Sequence, residues 1–289
     1  MRCRFALVAL ALLPVAAGCA SSHASSNPVL VLRAQLTEKR VPPATMRQAL
    51  AVVKSRLHAV GVKFPDATSH GNEITVQLAG VSDQARVAAV LARPGWLQIY
   101  DFEGDLARIS LKSGVAAPFS SLRALQRHVR PFPVGGAIVE ASGPAGGGFY
   151  LFRKPPEITA SDLLRREIRS EFGSGSPQPE VLLAFTHHGA AEFQRITKAE
   201  YARGQLVAGS HGSTGRLDQR YVQHNAIVLD GVIVATPYID YTDSALSLGI
   251  SGGQAVMVEP TRRAASDLAI VLRSGPLPLP FTARIRGGA

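Results

Sequence analysis

Apolar residues fall into short runs along this chain, and their period changes from run to run. Residues 29–36 (V-L-V-L-R-A-Q-L) are rich in branched aliphatic side chains and predict a strand. Pro42 and Pro43 break that run, and Thr45 offers an N-cap. Met46, Leu50, Val53, Leu57 and Val60 then recur at spacings of four and three, which is one face of a helix that Gly61 closes. Residues 72–78 alternate, with Ile74, Val76 and Leu78 on one side. A short helix over 82–92 carries Val87, Val90 and Leu91, and residues 96–102 (W-L-Q-I-Y-D-F) predict a third strand. The order β-α-β-α-β in about 75 residues predicts a small α+β sandwich with helices on one face of a sheet.

Residues 103–178 are less regular. The pattern predicts a helix over 121–129, a turn or mobile loop over 143–148 (G-P-A-G-G-G), a helical end to 158–168, and a linker over 173–179. Regularity returns with a strand at 181–186. Residues 225–240 (N-A-I-V-L-D-G-V-I-V-A-T-P-Y-I-D) are two apolar runs joined by Asp230-Gly231, the signature of a type I′ hairpin, whose two central residues need positive φ. The hairpin reads most simply as core sheet, with a recognition surface on or beside it as the other reading. Short strands at 250–252 and 254–258 follow. A buried helix from Asp267 is stopped by Gly275 and the spaced Pro276, Pro278 and Pro280.

The N-terminus changes the picture. Arg2 and Arg4 precede an apolar stretch, 5–15, too short to span a bilayer, and small residues follow. That is a secretory signal over 1–18. Ala16-Ala17-Gly18 before Cys19 resembles a bacterial lipobox, which implies a lipid (palmitate among its acyl chains) on the Cys19 sulfur and a new N-terminus there. The other reading is an ordinary signal peptide cleaved nearby, with Cys19 incidental. Two or three acyl chains anchor far more firmly than one. Residues 20–27 (A-S-S-H-A-S-S-N) form a polar tether within 19–28 that reaches about 25 Å when extended. The only other cysteine, Cys3, leaves with the signal, so no disulfide is expected in an oxidising compartment.

The net charge is +10, and about +8 without residues 1–18. The basic residues are scattered, without the runs and interleaved aromatics of a nucleic-acid binder, and the chain is read as exported; nucleic acid is therefore excluded. Anionic headgroups or acidic client segments are the better use of that charge, beside a plain solvated surface.

Several stretches, in order, carry a family resemblance. Residues 56–62 (R-L-H-A-V-G-V, with Gly61) are similar to R-V-x-x-L-G-V, and 74–81 (I-T-V-Q-L-A-G-V, with Gly80) to I-V-V-x-L-P-G-V. Residues 96–102 resemble an L-E-F-R strand. Gly189, Phe193 and Thr197 fit G-A-x-x-F-x-x-x-T on a helix. The hairpin with Asp230, Gly231 and Pro237, and the closing helix from Asp267 to Gly275, complete the series. Together they resemble the first periplasmic domain of SecD/SecDF, an accessory subunit of the bacterial protein-export translocon. The resemblance implies two small α/β-sandwich subdomains: a ferredoxin-like base over 29–102 and a head over 179–289, joined by a divergent connector over 103–178. Residues 201–224 are longer than the family needs and read as an inserted loop. In the family this domain is thought to contact emerging preprotein, its head swinging relative to the base. Transmembrane helices follow it in full-length members. This sequence reaches Ala289 where the first of those would be expected, so no transmembrane bundle and no independent use of the proton gradient are expected.

No catalytic chemistry, cofactor or metal is expected. Gly249-Ile250-Ser251-Gly252-Gly253 fits G-x-S-x-G, but a strand is predicted after the serine where a helix is needed, and no histidine follows His224. His187 and His188 would face opposite ways in a strand, and with His211 and His224 they lack metal-ligand spacing. Asp240, Asp243 and Asp267 are too spread for an acid/base pair. Residues 143–148 lack the G-K-[ST] of a phosphate loop. The expectation is a non-enzymatic, lipid-anchored protein of the cell envelope that binds or guides exported, unfolded polypeptide, with Sec translocon subunits as further partners. The alternative is a structural or scaffold lipoprotein that uses the same fold for one fixed partner.

Overall fold

The computed structural model describes residues 27–35, 40–62, 66–106, 110–111, 114–115, 118–128, 136–141, 147–172, 178–213 and 215–287. The signal region 1–18, Cys19 and the tether up to residue 26 lie outside the described residues, as do 142–146 and 173–177 of the two glycine-rich stretches. In chain order the elements are β1 (Val29–Ala34), α1 (Pro43–Ala59), β2 (Ala67–His70), β3 (Glu73–Gln77), α2 (Gln84–Ala92), β4 (Leu97–Asp101), α3 (Phe102–Asp105), β5 (Ser110–Leu111), β6 (Gly114–Val115), α4 (Leu122–His128), β7 (Ala137–Ala141), β8 (Gly148–Phe152), β9 (Ile158–Thr159), β10 (Arg169–Phe172), β11 (Pro179–Ala184), α5 (His187–Ser210), β12 (Gln223–Leu229), β13 (Val232–Ala235), β14 (Tyr238–Ile239), β15 (Gln254–Val258), α6 (Arg262–Ser274) and β16 (Phe281–Arg286).

The base is a β-α-β-β-α-β unit whose fourth strand arrives last. Its antiparallel sheet runs β16-β1-β3-β2. Val29 to Ala34 pair with Arg286 to Phe281 on one side, and Val29 to Arg33 with Gln77 to Glu73 on the other. That strand order is the ferredoxin-like arrangement. Leu30, Leu32, Ile74 and Val76 are fully buried beneath α1 and α2, and Leu277 and Phe281 close the same core. Residues 96–102, expected as the third strand of this unit, instead form β4, which pairs with β12 in another sheet. The base takes its last strand from β16, for which the sequence reading had no element. At α1 the cap is Pro42 rather than Thr45. Pro43 fits the first turn, where its missing N–H has no partner to lose. Gly61 follows that helix at φ +84.

A mixed sheet, β8-β7-β13-β12-β4-β9 with β14 on β12, forms the centre of the molecule. The hairpin turns at Asp230 (φ 57) and Gly231 (φ 85), as the type I′ reading requires. Both of its edges are taken, β12 by β4 and β13 by β7, so it presents no free strand. A three-stranded antiparallel sheet, β10-β11-β15, lies across a shared apolar core formed with α5 and α6. Residues 158–168 are two 3₁₀ turns after β9 rather than a helix. The stretch 201–224, expected as an inserted loop, is helical as far as Ser210, because α5 runs 24 residues. Among the described residues no helix is long and apolar enough to cross a membrane.

The two parts meet at α6. Leu268, Ala269 and Leu272 face the head core, while Ile270 and Val271 pack with Val90 of the base. A helix apolar on both faces belongs between two packed bodies. Polar contacts rim this seam. Arg86 of α2 grips both carboxylate oxygens of Asp267 at 2.6–3.1 Å. The Asp230 carboxylate accepts from the backbone N–H of Gly95 (2.7 Å) and Trp96 (2.9 Å). The Trp96 indole donates to Leu277 at 2.8 Å. Arg56 lies fully buried here, its guanidinium donating to the carbonyls of Val90 (3.0 Å), Pro94 (3.3 Å), Gly275 (3.0 Å) and Arg93.

Candidate functional site

β15 is built by alternation on a glycine-rich turn. Gly249 (φ 78) lies against the α5 backbone at Gln194, where any Cβ would collide, and the Gly253 carbonyl accepts from Phe185 at 2.8 Å. From there Q-A-V-M-V places Met257 in the head core and turns Gln254, Val256 and Val258 outward. Val256 is 46% exposed and Val258 52%. Both are apolar β-formers standing in solvent.

The backbone of β15 is also open, along the edge away from β11. Its only strand partner among the described residues is β11. Phe185 bonds to Gly253 and Glu259 to Pro179, and antiparallel pairs alternate. Ala255 and Met257 therefore point their backbone groups at β11, and Gln254, Val256 and Val258 point theirs at solvent. The other sheet ends differ. β8 is bridged by Phe119 at Phe149 and by Leu106 at Phe152. Next to β9, Leu163 bridges to Phe185. β2 ends in polar Thr68, Ser69 and His70, and β16 carries Arg284 and Arg286. Among the described residues, β15 sets two exposed valines along an unpaired edge, whereas the β16 edge shows the single apolar Ile285 between its two arginines; natural sheets usually cover or charge such a surface.

A second unusual region lies under α5. Glu200 is fully buried, and neither carboxylate oxygen has a hydrogen-bond partner among the described residues. Burial pushes its pKa up to about 9, and the Asp101 charge adds to this. Glu157 is pushed up to about 8 by burial first and then by the neighbouring Asp105 carboxylate. Asp101 pairs with Arg203, and Lys154 with Asp105 at 2.8 Å. Among the described residues no three His, Cys, Asp or Glu side chains converge to hold a metal.

The sequence-derived positions sit mostly in structural roles. Cys19 lies outside the described residues. Gly61 and Gly80 turn at positive φ beside α1 and β3. Gly189 sits in the first turn of α5 against Asp162, and Phe193 packs on Phe185 with ring centres 5.3 Å apart. Asp230, Gly231, Asp267 and Gly275 gather along the α6 seam, and the Pro237 carbonyl accepts from Asn225 at 3.0 Å. Thr197 donates to the Phe193 carbonyl and accepts from Ile250. Ser251 sits on the turn into β15, so the helix a nucleophile elbow needs is absent. His187 and His188 open α5 rather than lying in a strand, and His188 meets Asp162 at 3.0 Å. His211 stacks on Tyr221, and His224 bonds Glu103 at 2.7 Å, so each has its own partner. Sequence reasoning left Arg56 without a role and did not single out Glu200, Val256 or Val258. The outward alternation of 254–258 was the available signal for the valines.

Comparison with known proteins places these features in a family. A family model described as SecDF, P1 head subdomain, matches residues 138–279, and one described as Protein translocase subunit SecDF, P1 domain, N-terminal, matches 46–104. The head match therefore takes in part of the 103–178 stretch. The SecD of Calditerrivibrio nitroreducens is 29% identical over 84% of this chain and 40% of that protein. The SecDF of Thermus thermophilus is 28% identical over 82% of this chain and 27% of that protein. A crystal structure of SecDF in a super-membrane-facing form aligns over 90% of this chain and 30% of that one, with a TM-score of 0.58 and 26% identity. A structure described as that of a membrane component SecDF that enhances protein export aligns over 88% and 97%, with a TM-score of 0.55 and 25% identity. The chain spans about two fifths of the length of the SecD relatives it matches. With both P1 models matched in order across more than half of its residues, the chain belongs to the SecD/SecDF family, in the P1 domain.

Proposed function

We propose that this chain acts outside the cytoplasm in protein export, holding or guiding exported polypeptide by non-covalent contact at the β15 edge, beside the Sec translocon. The observation that carries the reading is the open strand itself: unpaired backbone groups at Gln254, Val256 and Val258, flanked by exposed valines. An extended client adds as a further strand, its main chain giving affinity and its alternate side chains covering Val256 and Val258. The match to the P1 head supports this, since β15 lies inside it. Val256→Lys with Val258→Lys leaves the backbone in place but puts charge on the docking face. Affinity for a reduced, unfolded protein, read by fluorescence anisotropy, is expected to fall about tenfold, with unchanged circular dichroism. Undiminished affinity in the double variant overturns the β15 assignment. If the wild-type chain has no affinity for unfolded polypeptide, the fixed-partner scaffold reading replaces it.

The anchor belongs to the same proposal. A lipid on Cys19 holds the domain at the membrane face through the 19–28 tether. Mass spectrometry of the processed N-terminus is expected to show an acylated Cys19, and Cys19→Ser is expected to move the protein from the membrane fraction to the soluble fraction. An unmodified N-terminus elsewhere points to an ordinary signal peptide.

A further inference from the structure

From the base sheet, we infer that its open face is a docking surface for an anionic lipid membrane. The helices cover one side of this sheet, through Leu30, Leu32, Ile74 and Val76. Alternation therefore turns Val31, Arg33, Glu73, Thr282, Arg284 and Arg286 to the other side, where they line a shallow hollow of about 280 Å³. Three guanidinium groups face one carboxylate. Arg33 approaches Glu73 at 3.8 Å, while Arg284 and Arg286 make no ion pair or side-chain hydrogen bond among the described residues. Two uncompensated cations thus stand two residues apart on one strand, with a third on its neighbour.

The chemistry selects the occupant. Of the residues lining this hollow, the one apolar side chain, Val31, is buried, and the others are charged or polar. A segment of unfolded polypeptide needs apolar contact, which β15 offers and this face does not. A plane of phosphate headgroups needs only a flat, basic counterface. Geometry points the same way. Val29 pairs with Arg286, so the strand that follows residues 1–28 starts beside the two free arginines. Within those residues lies Cys19, ten positions before Val29, so the lipid proposed there would hold this end of the sheet near the membrane. This inference goes beyond the polypeptide-binding reading and shares no residue with it.

The test uses the full chain on vesicles and reads the arginines directly, so the means of anchoring does not matter. Phenylglyoxal modification of Arg284 and Arg286, followed by mass spectrometry, is compared on neutral phosphatidylcholine vesicles and on vesicles containing phosphatidylglycerol. Each basic residue near an anionic surface strengthens association about fivefold. Modification is expected to slow at least about fivefold on the anionic vesicles and to recover in high salt, while the exposed Arg169 of the head is unaffected. In the Arg284→Glu, Arg286→Glu variant, whose changes are at exposed positions, Arg33 is expected to lose its protection. Equal rates on both vesicles, or equal slowing at Arg169, overturn the inference. So does protection on neutral vesicles when an acidic unfolded protein is added but none on anionic lipid, which makes the face a peptide site.

Discussion

Arg56→Leu is expected to lower stability by about 4 kcal/mol, the largest loss from any single side chain in the seam. Arg56 sits on α1, fully buried, and its guanidinium fork donates to carbonyls at the C-terminal ends of α2 and α6. Helix C-termini leave carbonyls without partners and concentrate partial negative charge. One cation satisfies both ends and ties the base helices to α6. Burial lowers its pKa to about 10, the Asp230 charge working against this, so it stays charged at neutral pH. Leucine fills the volume but strands the carbonyls of Val90, Pro94 and Gly275 in an apolar seam. Arg56→Lys keeps a charge and loses the fork, so about half the penalty is expected. Urea denaturation of the three proteins measures this. A loss below about 1 kcal/mol for leucine means the carbonyls find other donors.

Glu200→Gln is expected to stabilise the protein by about 3 kcal/mol at pH 8 and to change little at pH 4.5. Glu200 has a folded-state pKa raised to about 9 by burial first and by Asp101 second. A carboxyl raised in the fold binds its proton more tightly there than in the unfolded chain. Its contribution is fully present below the unfolded value, near 4.5, and is lost as pH climbs through 9. Wild-type stability should therefore fall between pH 5 and 9, by up to about 1.4 kcal/mol per unit from this group. Glu157, raised to about 8, acts with the same sign, so a smaller slope survives the substitution. Thermal melts of both proteins across that range provide the check. Superimposable curves show that Glu200 is not the proton-linked group.

Much of the local structure was legible. Asp230-Gly231 gave the hairpin because few dipeptides tolerate two positive φ values in succession. The spacing of Met46, Val53 and Leu57 gave α1 because those residues must share one buried face. What escaped depends on distant partners. β4 alternates like any strand, and nothing in residues 97–101 says that it pairs with β12 more than 120 residues later. The second half of α5 falls in 201–224, which is longer than the family resemblance needs and so reads as an inserted loop. At Gly204 the small residue serves packing, since a Cβ there would sit 2.8 Å from the Tyr241 Cβ. The candidate site was legible only in part. Outward valines at 256 and 258 follow from alternation, but whether a strand lies at the edge of a sheet is decided by the neighbours it lacks. The buried Glu200 carried no local sign, because burial of a charged group is set by the elements that close over it.

The late fourth strand of the base has a consequence for a chain that emerges N-terminus first. β1 sits between β3 and β16, and its partners on the β16 side lie about 250 residues further along. Until those arrive, a nascent chain holds an unfinished sheet whose middle strand is exposed along one flank, open to mispairing with any neighbour. Maturation of the first subdomain thus waits until residues 281–286 have emerged, and a product cut off before residue 281 would leave that flank uncovered.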